Sequence, residues 1–125
     1  MTKVLLVDDE ENNRDMLQRR LARRGYEVVT AVDGEDACQK ALAETPSVIL
    51  MDMRMPRTDG YEATQRIRSM PETKAIPIVG LTAQAMAGDR ERVLEVGCDA
   101  YEPKPVNFAQ LLTTIEALLE RSSGP

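Results

Sequence analysis

The chain has no histidine and no tryptophan, a single phenylalanine, three tyrosines and two cysteines among 125 residues. Without histidine it lacks the usual general base, the commonest nitrogen ligand for zinc, and any residue able to carry a phosphohistidine. Cys38 and Cys98 stand apart with no CxxC spacing, so neither a disulfide framework nor a thiolate metal site is indicated, and both read as packed thiols. Positive charge is also in deficit: 16 Lys and Arg face 21 Asp and Glu, for a formal net charge of -5. Such a field repels nucleic acid and anionic lipid, so no direct DNA binding and no membrane partner are expected. No run approaches the roughly 18 apolar residues of a membrane span, and the first residues lack a signal-peptide layout, which makes a cytoplasmic location the default expectation. Any chemistry falls to carboxylates, hydroxyls, lysine and arginine.

What is present is enough for one packed domain. The hydrophobic content is 42%, and the seven Gly and seven Pro are scattered, with no repeat and no low-complexity segment. Residues 1–121 are expected to form the domain and residues 122–125 a loose tail. The abrupt end suits a free-standing protein, although a segment cut from a longer one would read the same way.

Hydrophobic periodicity divides the domain into alternating strands and helices. Strands are predicted over residues 3–7, 26–30, 48–51, 76–81 and 100–102. Helices are predicted over 12–24, from the Asp33-Gly34 turn to about Pro46, over 61–69 and 85–96, and along the apolar stripe of Phe108, Leu111, Leu112, Ile115, Leu118 and Leu119. The strands read as near-continuous apolar runs and not as polar alternations, which is the pattern of a parallel sheet covered on both faces. The fold class is therefore α/β, a doubly wound five-stranded parallel sheet with five helices. In such sheets ligands bind beyond the carboxyl ends of the strands, where the strand order reverses.

At those ends stand Asp8 and Asp9, then Asp52, then Thr82, then Lys104 beyond Tyr101. Each has an ordinary structural reading when taken singly: Asp8, Asp9 and Glu10 as acids facing a helix dipole, Asp52 as a strand-end cap, Thr82 and Lys104 as solvated side chains. Gathered on one edge they demand more. Two ionised carboxylates about 5 Å apart repel by roughly 3 kcal/mol at an effective dielectric near 20, so three of them require a cation. An all-carboxylate set without histidine or cysteine suits a hard divalent ion, Mg2+ above all, with Mn2+ as a substitute. A metal, a lysine and a hydroxyl around one carboxylate are the apparatus for placing a phosphoryl group on an aspartate.

The segments "LLVDDE", "ILMDMRMPRTDG", "LTA" and "YEPKP", in that order and at these distances, resemble the response-regulator receiver domains of the CheY-like superfamily. The likeness covers residue 3 to about residue 120, and it extends to single-domain regulators of the DivK type. It implies a flavodoxin-like sheet with strand order 2-1-3-4-5. It further implies that Asp52 is the phosphoacceptor, that Asp9 and Asp52 ligate the metal directly with the backbone carbonyl of Arg54, and that Asp8 acts through water and charge. Lys104 and Thr82 would each hold a phosphoryl oxygen, and the Lys104-Pro105 peptide would be cis.

In this family an inward shift of the hydroxyl residue makes room for an aromatic, here Tyr101, which otherwise reads as a half-exposed packing residue. The surface changed by phosphorylation would be the fourth helix, fifth strand and fifth helix, read by a downstream protein target. Since the chain cannot carry phosphohistidine, a histidine kinase or a histidine phosphotransfer protein must donate the group. Arg14, Arg19, Arg20, Arg23 and Arg24 form either a docking face for that partner or a plain solvated face. Two positions depart from the family average. Arg54 either pairs with the phosphoryl group and tunes its lifetime or points to solvent, and Gln84 is placed to orient water.

Two rival readings follow from the same residues. A receiver-like interaction module that is never phosphorylated would usually have lost one of the five site residues, and all five are here. A hydrolase with an aspartyl-phosphate intermediate would want a second Asp two residues past the nucleophile, where this chain has Arg54. The expectation is a switch that accepts a phosphoryl group and loses it slowly, and not a turnover enzyme.

Overall fold

The computed structural model describes residues 2–55, 58–83 and 88–123. In chain order the elements are β1 (Lys3–Val7), α1 (Glu11–Arg23), β2 (Glu27–Ala31), α2 (Gly34–Glu44), β3 (Val48–Asp52), α3 (Gly60–Ser69), β4 (Ile78–Thr82), α4 (Asp89–Val96), β5 (Ala100–Pro103) and α5 (Phe108–Ser123). The strands form one parallel sheet in the order β2-β1-β3-β4-β5, as the family resemblance implied.

Alternation along the strands sorts the apolar residues into two layers. Leu5, Val7, Ile49, Met51 and Ile78 pack with Ala37, Ala41, Ala63, Ile67 and Val93 on the side of α2, α3 and α4. Val4, Leu6, Val48, Leu50, Val79 and Leu81 pack with Leu17, Leu21, Leu111 and Ile115 on the side of α1 and α5. Every residue of β3 and β4 is buried, because central parallel strands are covered on both faces.

Several boundaries differ from the sequence expectation, each for a local reason. The second strand starts at Glu27 because the N–H of Tyr26 donates back to Leu21 at the end of α1. The fourth starts at Ile78, not Ile76, since the N–H of Ile76 closes a turn on Thr73 and Pro77 has no N–H to offer. Asp52 is itself the last residue of β3, opposite Leu81. The fourth helix begins at Asp89 with Gly88 as its N-cap, and the part of its predicted span at 85–87 lies outside the described residues. The last helix runs through Ser123, into the stretch expected to be tail.

Three contacts fix the chain after β3. The carboxylate of Asp59 caps α3 by accepting from the N–H of Glu62 at 3.0 Å. Gly60 donates to the Met53 carbonyl at 3.3 Å, and a side chain there would strike the Asp52 carbonyl and Met53 Cα, so the close return of the loop onto β3 requires glycine. Thr58 in the same loop accepts from the N–H of Gly34 at 3.0 Å, which ties the start of α2 to the loop after Asp52.

Candidate functional site

The carboxyl ends of β1, β3, β4 and β5 meet at a cleft of about 680 Å3, whose lining includes Asp8, Asp9, Asp52, Arg54 and Lys104. Asp8 directly follows β1 and is fully buried, and Asp52 ends β3 at 3% exposure, while Asp9 faces solvent. Carboxylate oxygens of these three residues lie within 4.8 Å of one another. Thr82, the last residue of β4, is buried. Its carbonyl accepts from the N–H of Lys104 at 2.8 Å, which carries the β4–β5 pairing up to the lysine. The Lys104-Pro105 peptide is cis.

The ammonium of Lys104 sits between the two buried acids, 3.3 Å from Oδ2 of Asp8 and 3.4 Å from Oδ2 of Asp52. The remaining oxygens are also engaged. Oδ1 of Asp8 accepts from the N–H of Glu10 at 2.9 Å, and Oδ1 of Asp52 accepts from the N–H of Arg54 at 3.1 Å. Burial pushes the Asp52 carboxyl up to about 6; Lys104 and the Arg54 N–H oppose that rise, and the charge of Asp8 adds to it. For Lys104 burial works to lower the pKa, yet Asp52 and Asp8 together outweigh it and hold the ammonium above its ordinary value. The site thus keeps its lysine charged and holds its central acid above the ordinary carboxylate range.

Three carboxylates this close, grouped among the described residues without a histidine or cysteine, fit a hard divalent cation better than zinc. Asp9 is the readiest ligand, because among the described residues nothing bonds its side chain. Asp8 and Asp52 each have one oxygen on a backbone N–H and the other on Lys104, so an ion would share their remaining lone pairs with those contacts.

Not every residue expected at the site is drawn into this cluster. Tyr101 lies on β5 opposite Gly80, half-buried against the α2–α3–α4 layer. The Arg54 side chain is exposed at the rim of the cleft. Gln84 lies outside the described residues. The arginines of α1 separate in role: Arg14 donates to the carbonyl of Asp8 at 2.9 Å, Arg20 lies 5.6 Å from the Phe108 ring centre, and Arg19, Arg23 and Arg24 face solvent. The sequence reading placed Arg14 among the surface arginines and missed its bond. The backbone N–H of Glu10 was equally unforeseen, although an acid that accepts from the N–H two residues further on is a familiar turn-forming signal.

A doubly wound parallel sheet with an acid cluster, a lysine and a hydroxyl at the ends of its strands defines a receiver-type signalling domain. The chain belongs to the family described as response regulator receiver domain, whose model matches residues 4–116. It is 42% identical over 123 residues to a probable transcriptional regulator, ycf27, of Cyanophora paradoxa, covering 98% of this chain and 50% of that protein. It is 36% identical over 120 residues to the polar-differentiation response regulator DivK of Brucella ovis, covering 95% of this chain and 98% of DivK. The chain thus spans about half the length of some curated relatives and nearly all of others. Among solved structures, the receiver domain of the sensor histidine kinase PA1611 of Pseudomonas aeruginosa superposes with a TM-score of 0.88 at 36% identity, over 94% of this chain and 97% of that one. That domain has a magnesium ion coordinated in its active-site cleft. Receiver domains are signalling switches of two-component systems, and no described helix of this chain is long and apolar enough to cross a membrane.

Proposed function

We propose that the chain is a phosphorylation-activated switch of a two-component or phosphorelay system, with Asp52 as its phosphoacceptor. The observation that carries this is the position of Asp52, buried at the end of β3 with an ammonium 3.4 Å from one oxygen and two further carboxylates at hand. The donor is the phosphohistidine of a histidine kinase or a histidine phosphotransfer protein. An oxygen of the Asp52 carboxylate attacks phosphorus, the phosphorus–nitrogen bond breaks, and the imidazole leaves with the electron pair and takes up a proton. Mg2+, or Mn2+ in its place, supplies charge neutralisation at the phosphoryl oxygens. Asp9, the free lone pairs of Asp52 and the Arg54 carbonyl would hold it, with Asp8 acting through water.

Lys104 exchanges its contact with Asp52 for a phosphoryl oxygen, and the Thr82 hydroxyl donates to another. Each charge-assisted bond of this kind is worth about 1.5 to 3 kcal/mol, and about 5.5 kcal/mol converts a 1:99 equilibrium to 99:1, so two or three such bonds suffice to drive a switch. Tyr101, on the neighbouring strand, reports the shift, and the surface of α4, β5 and α5 presents it to a downstream protein. Arg54 at the rim tunes how long the phosphoryl group survives.

Incubation with Mg2+ and acetyl phosphate, or with beryllofluoride, tests the reading. Wild type is expected to form an adduct by intact mass or by nuclear magnetic resonance, and Asp52→Asn is expected to form none. A wild type that forms no adduct overturns the switch and leaves an interaction module.

A further inference from the structure

We infer that Arg14 is a positioning residue for the metal site, acting through the backbone carbonyl of Asp8 to fix the turn that carries Asp9. This rests on the metal reading above and adds a residue to it. Asp9 contributes one of three carboxylates within 4.8 Å of one another, yet it is exposed, and among the described residues its side chain has no partner. Its place is therefore set by its backbone. On one side the N–H of Asp8 is held by the Ala31 carbonyl at 3.1 Å, and on the other the N–H of Glu10 is held by Oδ1 of Asp8 at 2.9 Å. The peptide between Asp8 and Asp9 remains, and its carbonyl takes Nη1 of Arg14 at 2.9 Å.

Arg14 is well placed to act as a clamp. Its own N–H donates to Glu10 at 3.0 Å in the first turn of α1, so its backbone is fixed by the helix while its side chain reaches back to the strand end. It is half-buried, and the bond is charge-assisted, hence shorter and stronger than one between neutral groups. Among the arginines of α1, it alone bonds the acidic turn.

The electrostatics give the inference a distinctive sign. A guanidinium beside a site for a divalent cation repels that cation, so on charge alone its removal tightens binding. If Arg14 positions the turn, its removal weakens binding instead, by about tenfold, the lower end of what outer partners of metal ligands contribute.

The experiment is calorimetric titration of Mg2+ into metal-free wild type, Arg14→Met, Arg14→Lys and Asp9→Asn, with amide hydrogen exchange of each metal-free protein. Arg14→Met is expected to bind Mg2+ about tenfold more weakly and to exchange the Glu10 amide faster. Arg14→Lys, which keeps a donor on a long stem, is expected to recover part of both. Equal or tighter Mg2+ binding by Arg14→Met, with Asp9→Asn still abolishing it, overturns the role of Arg14 and leaves the metal site standing. Wild type that binds no Mg2+ overturns the metal reading itself, and the Glu10 exchange rate then decides separately whether Arg14 clamps the turn.

Discussion

The ammonium nitrogen of Lys104 lies 3.4 Å from Oδ2 of Asp52, so a residue just past β5 neutralises an acid buried at the end of β3. The same nitrogen is 3.3 Å from Asp8, and one cation thus serves two carboxylates that are almost wholly withdrawn from water.

Replacing Lys104 with methionine removes that cation and leaves the packing of its stem. Breaking a buried ion pair from one side costs about 3 to 5 kcal/mol in other proteins. Because Lys104 is partly exposed, the loss expected here at pH 7 is nearer about 2 kcal/mol in metal-free denaturant unfolding. Added Mg2+ should recover more stability for Lys104→Met than for wild type, since the metal takes over the neutralising task.

The raised Asp52 carboxyl sets a pH dependence. The folded protein keeps the Asp52 proton up to about pH 6, whereas the unfolded chain releases it near the ordinary value of 3.8. Between these values the folded state binds more protons, so this group's contribution to stability falls as pH rises and is fully unfavourable above about pH 6. Asp52→Asn should therefore stabilise the metal-free protein by about 3 kcal/mol at pH 7 and by little near pH 4. Urea unfolding at both pH values in the presence of a chelator measures the difference; equal gains at the two pH values would sink the assignment.

Gly80 on β4 leaves room for α4 to rest on the sheet. A Cβ added there would meet Val93 Cγ1 at 2.5 Å, Cys98 Sγ at 3.2 Å and Met53 Sδ at 3.3 Å. Val93 is the buried residue of α4, and its branched side chain has little freedom to yield. Gly80→Ala is expected to cost about 1 to 3 kcal/mol by overpacking and to speed amide exchange in α4 more than in α1.

Arg68 joins three segments at the far end of the sheet. It donates to the carbonyls of Gly97 at 2.8 Å, Ile76 at 2.6 Å and Lys74 at 3.0 Å, and to the carboxylate of Asp99 at 2.7 Å. Asp99 in turn accepts from the N–H of Ile78, the first residue of β4. A lysine cannot reproduce this planar fork. Arg68→Lys is thus expected to lose about 1 to 2 kcal/mol in thermal unfolding, against near-neutrality for the exposed Arg23→Lys on α1.

The residues legible in the sequence are those whose position follows from a rule about parallel sheets. Asp8, Asp9, Asp52, Thr82 and Lys104 each stand at or just past the end of an apolar run, and the doubly wound arrangement brings such ends together. The bond of Arg14 was not legible, because a long side chain six residues past its target is placed by the angle at which α1 leaves β1. Periodicity does not report that angle. Ile76 misled for a related reason: its apolar side chain extends a strand pattern, while its backbone belongs to the turn before Pro77. The 4.1 Å stacking of Arg92 on the Tyr61 ring, between α4 and α3, left no trace in the sequence either, since pairings across helices carry no fixed spacing.

The pairing of Lys104 with Asp8 spans 96 positions along the chain. During synthesis, the strand ends bearing Asp8 and Asp52 leave the ribosome long before the lysine that separates their charges. A nascent chain holding β1 to β4 alone would have to close this edge with two facing acids and no ammonium, which sets repulsion against premature docking there. The counter-charge that eases this repulsion arrives just after the last strand, and the folded protein has a cation of its own in place before it meets any metal.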